Sequence, residues 1–171
     1  MILKVLKYPE ASLNKPCEKI SEITPEIKQL ASDMLETMYA APGVGLAAPQ
    51  VGHNIRLLVM DPQIDGKKMP KILVNPLLEL TGEEIVSKQE GCLSVPLDYR
   101  ADVPRYSIVK YSALDIDGNR VTETLEGFPA IIIQHEADHL DGVLFIDRLG
   151  RLRRSLYDGK VKKWLKQQQS E

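Results

Sequence analysis

The stretch Pro129-Ala-Ile-Ile-Ile-Gln-His-Glu-Ala-Asp-His-Leu140 decides how the chain folds. Residues 130–133 are apolar on every side of a helical turn, which is typical of a helix buried inside a domain. Proline fits the first turn of a helix, and Gly142 is placed to end one. The pattern therefore predicts a central buried helix that begins near Pro129.

Two histidines and a glutamate in this helix predict a metal site. His135 and His139 are four residues apart, so both imidazoles project from one face, with Glu136 beside them. The pattern is typical of metal hydrolases, in which the metal lowers the pKa of a bound water to about 7 and the carboxylate takes up the proton. The alternative, two histidines at the edge of the core, would bury ionisable groups beside three isoleucines at a cost.

The segments around this helix show helical and strand patterns in turn. Apolar residues recur at helical spacing behind Thr24 and Pro25, which predicts a helix over residues 25–40. Short apolar or alternating runs predict strands at 55–60, 72–75, 84–86, 106–115 and 121–125. The tail predicts a third helix, whose apolar side comprises Leu149, Leu152, Leu156, Val161, Trp164 and Leu165. We expect an α+β fold, with small antiparallel or mixed sheets packed around the central metal-binding helix, an N-terminal helix and a C-terminal helix.

The length and composition indicate a folded protein with a single domain over residues 1–171, which the metal-hydrolase motif predicts to be catalytic. Apolar residues make up 43% and charged residues 27% of the 171 residues, close to the average of globular proteins, which excludes disordered, collagen-like and membrane-spanning chains. Lys4 and Lys7 interrupt the first apolar residues, so no signal peptide is visible and we expect a cytoplasmic protein. Two cysteines exclude a disulfide framework.

The charge of the chain is unevenly placed. The net charge is −2, but the helical tail, residues 148–171, contains eight basic and only two acidic residues. A basic tail can contact a polyanion such as RNA through its phosphates. The simpler interpretation is a solvated helix face.

The histidine pair needs a third ligand, because a catalytic metal usually has three protein ligands and one open position. Phe145 stands where the metzincin pattern has its third histidine, and no acid after Gly142 is convincingly placed. The ligand must therefore come from upstream, where the candidates are Cys17, Cys92, His53 and a scattered carboxylate.

Cys92 has the best setting among these candidates. Gly91 before it and a proline four residues later predict irregular backbone, which can aim a thiolate and leave the Leu93 N–H free to donate. Cys17 lacks such a setting, and His53 is typical of an exposed turn. A lone cysteine is usually a small buried apolar residue, so Cys92 is a candidate metal ligand only in combination with the histidine pair.

A glycine-rich segment, Gly43-Val-Gly-Leu-Ala-Ala-Pro-Gln-Val-Gly52, contains part of the dinucleotide-binding fingerprint. That fingerprint follows a strand and opens a helix, whereas this segment follows a helix and Pro49 interrupts what comes next. We therefore expect no nucleotide cofactor. The glycines let a ligand approach the backbone closely, and the amide of Gln50 is suited to stabilising an oxyanion.

Three motifs together resemble peptide deformylases. They are Gly43-Val-Gly-Leu-Ala-Ala-Pro-Gln50, Glu90-Gly-Cys-Leu-Ser-Val-Pro96 and Gln134-His-Glu-Ala-Asp-His-Leu140, and the likeness extends across essentially the whole chain. That family removes the N-formyl group from the initiator methionine of new polypeptides and releases formate. The resemblance implies one divalent metal ion per chain, natively Fe(II), with Zn(II), Ni(II) or Co(II) as substitutes.

The resemblance also implies roles for individual residues. Cys92, His135 and His139 would hold the metal, and Glu136 would move protons between the attacking water and the leaving amine. Gln50 and the Leu93 N–H would hold the oxyanion, and Glu90 and Arg105 would pair behind the metal ligands. The residues expected to bind substrate are Val44, Gly45, Gly91, Arg100, Phe128, Ile131 and Ile132.

Two other classes of function remain open at this point. A general metallopeptidase shares the histidine motif but conflicts with the missing downstream ligand. A non-catalytic protein would carry a structural zinc or bind RNA through its tail. For a deformylase, the expected partners are N-formylmethionyl nascent peptides and, through the basic tail, the ribosome; no membrane contact is expected.

Overall fold

Three α-helices and five β-strands make up the computed structural model, which describes residues 1–170. The helices are α1 (Pro25–Ala40), α2 (Phe128–Leu140) and α3 (Arg151–Gln169). The strands are β1 (Gly45–Ala47), β2 (Leu57–Met60), β3 (Lys71–Glu90), β4 (Ala101–Leu114) and β5 (Arg120–Glu126). Short 3-10 turns lie at Ala11–Asn14, Ala48–Val51, Ile64–Gly66 and Phe145–Arg148. The predicted α+β class is confirmed.

The five strands form one antiparallel sheet, in which neighbours in sequence are neighbours in space. The strands predicted at 72–75 and 84–86 are both parts of β3. Pro76 and Gly82 are typical of strand ends in a sequence, but β3 continues through both. Each lies at an irregularity where the register of β3 against β4 shifts, after Val74 and after Thr81. Gly82 has a φ of +75°, a conformation that glycine adopts readily at a bulge.

β1 is a strand that the sequence did not predict, because three residues are too few to show alternation. It pairs with β2, with Gly45 opposite Met60 and Ala47 opposite Leu58. No strand within residues 1–170 pairs with its other edge. The glycine-rich segment therefore presents one free backbone edge.

α1 begins as its sequence predicts. The Thr24 hydroxyl accepts a hydrogen bond from the Ile27 N–H over 3.3 Å, and Pro25 occupies the first turn. Met34 and Met38 are completely buried in the core cluster that α1 shares with β1 and β2. This packing fixes the chain that leads from α1 into the glycine-rich segment.

α2 is the central helix of the fold. It contacts all five strands, and its interior residues Ala130, Ile132 and Ile133 are buried. Gly142 follows the helix with a φ of +75°, and a Cβ at this position would lie 2.8 Å from the backbone of Asn14. The predicted stop at Gly142 is thus enforced both by conformation and by close packing.

α3 packs on the body through a narrower stripe than predicted. Tyr157 and Val161 are buried, with Trp164 partly buried beside them, but Leu152 and Leu156 are 74% and 61% exposed. The prediction that both leucines lie on the buried side is wrong, because at 100° per residue they point away from the stripe that Tyr157 and Val161 define. No helix within residues 1–170 is both long and apolar enough to cross a membrane.

Candidate metal centre and cavity

Three side chains that can ligate a metal ion meet beside α2. The Cys92 Sγ and a ring nitrogen each of His135 and His139 lie within 4.8 Å of one another, and the Cys92 Sγ is 3.4 Å from His139 Nε2. The histidines are one turn apart on α2, whereas Cys92 lies in the loop after β3. Packing of α2 on the sheet thus brings the three predicted ligands together.

A buried carboxylate orients His135 from behind. Glu90 Oε1 is 2.6 Å from His135 Nδ1, and since an ionised carboxylate only accepts, Nδ1 carries the proton and Nε2 is free to bind a metal. Arg105 contacts both oxygens of Glu90, at 3.2 and 2.5 Å. Burial opposes ionisation, but hydrogen bonds from His135 and Arg105 lower the pKa of Glu90 to about 2. The pair predicted from the motifs is present and charged.

A second carboxylate, which the motifs did not predict as functional, completes this network. Asp138 Oδ2 is 2.7 Å from Arg105 Nη1, and Arg148 contacts both oxygens of Asp138 at 2.8 Å. Asp138 lies three residues after His135 on α2, and this helical spacing was the available signal. The network connects His135, through its hydrogen bond to Glu90 and then three ion pairs, to Arg148 at the start of the basic tail.

Gln50 is held rigidly on the opposite side of Cys92. Its Oε1 accepts from the Ala47 N–H at 2.9 Å, and its Nε2 is 3.0 Å from the Ser94 Oγ and 3.5 Å from the Cys92 Sγ. The amide orientation is therefore fixed, with the nitrogen toward the ligand cluster. Among residues 1–170, nothing accepts a hydrogen bond from the Leu93 N–H. Ser94, which is completely buried, is a contributor that the sequence did not single out.

Glu136 is buried beside the three ligands. Its Oε1 is 3.8 Å from His139 Nε2 and has no hydrogen-bond partner among residues 1–170. Burial raises the pKa of Glu136 to about 7, so the group can both accept and donate a proton near neutral pH. A buried polar atom without a protein partner is expected where water, an ion or a substrate completes a site.

Gly45 touches this carboxyl group directly. A Cβ at position 45 would lie 2.4 Å from Glu136 Oε2 and 2.8 Å from its Cγ, distances that no real side chain adopts. Because Glu136 is 3% exposed, it has little room to move aside. Gly45 is therefore required because only a glycine leaves space for the Glu136 carboxyl group, in addition to letting a ligand approach the backbone closely.

A cavity of about 660 Å³ opens in front of the ligand cluster. It is lined by all the residues that the motifs placed near substrate, namely Val44, Gly45, Gly91, Arg100, Phe128, Ile131 and Ile132. Of these, Ile132 is buried and Phe128 is half exposed. Lys7 and Trp164, far away in sequence and not predicted, also line it.

The other upstream candidates lie elsewhere. Cys17 is buried in the core, where burial raises the pKa of its thiol, and it is not part of the ligand cluster. His53 is exposed, as its setting in the sequence predicted. The structure therefore brings together Cys92, not Cys17 or His53, with the histidine pair.

Comparison with known proteins supports the same family. Residues 2–155 match the family model described as polypeptide deformylase. A peptide deformylase of Psychrobacter cryohalolentis is 47% identical over 165 residues, which cover 96% of this chain and 89% of the relative. One from Acinetobacter baumannii is 44% identical over 170 residues, or 99% of this chain and 96% of the relative.

Solved structures show the same fold. A peptide deformylase from Legionella pneumophila superposes with a TM-score of 0.89 at 38% identity, covering 100% of this chain and 99% of the other. One from Ehrlichia chaffeensis, in complex with actinonin, gives a TM-score of 0.87 at 36% identity and covers 95% and 96% of the two chains. The chain belongs to the polypeptide deformylase family of hydrolases.

Proposed function

We propose that the chain removes the formyl group from N-formylmethionyl peptides at the site beside α2, with Cys92, His135 and His139 holding one divalent metal ion. The observation that carries the proposal is the convergence of these three ligand atoms within 4.8 Å, next to the buried carboxylate of Glu136. Membership of the deformylase family supplies the substrate class.

The donor set fits a divalent metal. Glu90 fixes the His135 tautomer so that Nε2 is left free to bind a metal. One thiolate with two imidazoles suits Fe(II) and Zn(II) alike. A metal held there would polarise the formyl carbonyl and lower the pKa of water. We propose Fe(II) as the native ion, on the resemblance alone, with Zn(II), Ni(II) or Co(II) as substitutes.

Glu136 is placed to move the proton. As water adds to the formyl carbon, the Glu136 carboxylate accepts one proton from it, and then donates this proton to the departing amine nitrogen as the carbon–nitrogen bond breaks. Formate and a peptide with a free amino terminus are the products. A pKa near 7 supports both halves of this transfer.

Gln50 and Leu93 are placed to stabilise the oxyanion that forms during attack. The Gln50 Nε2 and the Leu93 N–H flank Cys92 from two different segments, and the Gln50 amide is fixed by Ala47 and Ser94. Donors that are fixed before the reaction need no reorganisation when charge develops.

The free edge of β1 is suited to bind the peptide backbone as an added strand. Gly45 provides that edge, and Val44, Gly91 and Arg100 line the cavity beside it, so that we place all four against the peptide. Phe128, Ile131 and Ile132 supply an apolar surface for the methionine side chain.

Formate release from an N-formylmethionyl tripeptide tests this function. We expect formate from protein purified without oxygen, none from the matched N-acetyl peptide, and none from Glu136→Ala protein that keeps its metal. Folded, fully metallated protein that releases no formate would contradict the proposal. Cleavage of unformylated peptides would instead indicate a general metallopeptidase.

A structural zinc protein is the less favoured alternative. Structural zinc sites usually have four protein ligands, whereas the cluster found among residues 1–170 has three, with a buried carboxylate beside it. Nothing in such a site needs Glu136.

Gly45→Ala is expected to lower kcat/KM for the formyl peptide at least about tenfold, because the added methyl group displaces the Glu136 carboxyl group and misplacement by about 1 Å can cost about a hundredfold. Gly159→Ala is a matched control, since a Cβ at that position of α3 meets open space. Steady-state kinetics of both variants check the prediction. Equal activity of the two would show that Glu136 does not need this space.

We also propose that the exposed face of α3 contacts the ribosome, and that the enzyme acts on nascent chains in the cytoplasm. The face carries Leu152 and Leu156 together with exposed cations at Arg151, Lys162 and Lys163. Truncation before Arg151 is a poor test, because it removes Tyr157, which is buried and donates to the Pro96 carbonyl.

Charge reversal is a better test of this contact. Arg151→Glu combined with Lys162→Glu is expected to weaken co-sedimentation with ribosomes and to flatten its salt dependence, because fewer phosphates are neutralised. Lys19→Glu combined with Lys28→Glu, on exposed residues elsewhere, is the matched control. Ribosome binding that is equal in both double variants would contradict a contact through α3.

A further inference from the structure

The segment Leu6–Tyr8 contacts both proposed oxyanion donors. The Leu6 N–H donates to the Gln50 carbonyl over 2.7 Å, and the Tyr8 N–H donates to the Ser94 carbonyl over 2.7 Å. Between them, the Lys7 ammonium donates to the Leu93 carbonyl. Three consecutive residues thus hold the backbone of Gln50 on one side and of residues 93 and 94 on the other.

The same segment is anchored on its far side. The Tyr8 hydroxyl donates to Asp158 over 2.7 Å and lies 3.2 Å from Arg154 Nη2, both on α3. Arg154 in turn contacts Asp147. The segment is therefore bound to α3 as well as to the two donor segments. Because α3 holds it in place, it can restrain the two donor segments.

Leu93 needs such a tie more than Gln50 does. The Gln50 amide is fixed by Ala47 and Ser94, whereas Leu93 lies in the irregular loop after β3. Its N–H belongs to the peptide group on one side of the residue, and its carbonyl to the group on the other. Holding the carbonyl fixes the backbone dihedrals that aim the N–H.

We propose that Lys7 is a positioning residue for the oxyanion site. Its ammonium group holds the Leu93 carbonyl, and this orients the Leu93 N–H toward the carbonyl of the substrate. The proposal rests on the proposed function, in which Leu93 is an oxyanion donor. Lys7 lines the cavity, but its role here is through Leu93 and not through contact with the reacting atoms.

The expected effect is on the chemical step. Loss of an oxyanion donor costs about 10²–10³ in kcat, and a donor that is loosened but still present should cost less, about tenfold. Lys7→Met keeps the length of the stem and removes the ammonium, so we expect kcat to fall about tenfold while KM changes less than twofold. Lys7→Arg supplies a donor again and should restore most of the rate.

Lys4→Met is the matched control, because Lys4 is an exposed lysine three residues before Lys7 in the chain and outside the segment Leu6–Tyr8. It should equal the wild type. The amide resonance of Leu93 in ¹⁵N-labelled protein provides a readout independent of turnover: it should shift or broaden in Lys7→Met and stay in place in Lys4→Met and Lys7→Arg.

The outcomes separate this inference from the function on which it rests. Wild-type protein without formate release overturns the function, while the Leu93 resonance still reports whether Lys7 orders the loop. Active wild-type protein with Lys7→Met of equal kcat and an unchanged Leu93 resonance overturns the role of Lys7. An equal loss of rate in Lys7→Met and Lys7→Arg would also overturn it, because the donor would then be irrelevant.

Discussion

Glu136→Gln should release formate about 10²–10⁴ times more slowly than the wild type, while keeping its fold and its metal. Glutamine has the same shape but cannot take a proton from water or return it to the leaving amine, and proton transfer by a positioned group contributes a factor of this size. The three ligand atoms belong to other residues, so metal content should not change. Single-turnover kinetics together with metal analysis checks both statements.

Stability gives a second readout for the same variant. The Glu136 carboxyl group is buried, and within residues 1–170 one of its oxygens has no hydrogen-bond partner, an arrangement that costs free energy of folding. A neutral amide costs less to bury than a carboxylate, so the unfolding midpoint should stay equal or rise. Glu84→Gln, at an exposed position of β3, is the matched control for kinetics and stability. Wild-type turnover in metallated Glu136→Gln would exclude Glu136 as the proton carrier.

Glu90→Gln should destabilise the fold by about 3 kcal/mol, which for a chain of this length lowers the unfolding midpoint by roughly 10 °C. The Glu90 and Arg105 side chains are 7% and 2% exposed, so removal of one charge leaves the guanidinium buried with Asp138 as its remaining counter-ion. The variant also loses the acceptor that orients His135, and metal affinity should fall about 10–100-fold.

Glu123→Gln is the matched control for Glu90→Gln, because it breaks an exposed ion pair instead of a buried one. Glu123 pairs with Lys71 on the sheet surface, where its side chain is 44% exposed, and such pairs contribute about 0–1 kcal/mol. Thermal unfolding and competition with a metal chelator measure the two effects. If both variants lost the same small amount of stability and kept the same metal affinity, the buried network would be dispensable.

The parts of the fold that could be predicted have a strong local signal. α1 was predicted from its cap and its apolar spacing, and α2 from its apolar run and its stop at Gly142. The histidines needed only the geometry of one helix. Cys92 needed information from outside that helix, because 43 residues separate it from His135 and only the motifs connect the two.

The parts that could not be predicted depend on contacts distant in sequence. β1 is too short to have a period, and β3 continues through Pro76 and Gly82 because β4 pairs along most of its length. The contact of Lys7 with Leu93 spans 86 residues, and no local pattern indicates it. Leu152 and Leu156 looked buried because apolar spacing does not reveal which stripe of α3 meets the body.

Because α2 packs against every strand of the sheet, we expect the candidate metal site to stay intact until the whole protein unfolds. A helix that contacts all five strands cannot open by itself, so its amides should exchange with solvent only when the whole sheet comes apart. Local fluctuations therefore offer no route by which His135 and His139 are exposed while the rest of the protein stays folded. The two histidines therefore lie in the part of the protein that we expect to unfold last.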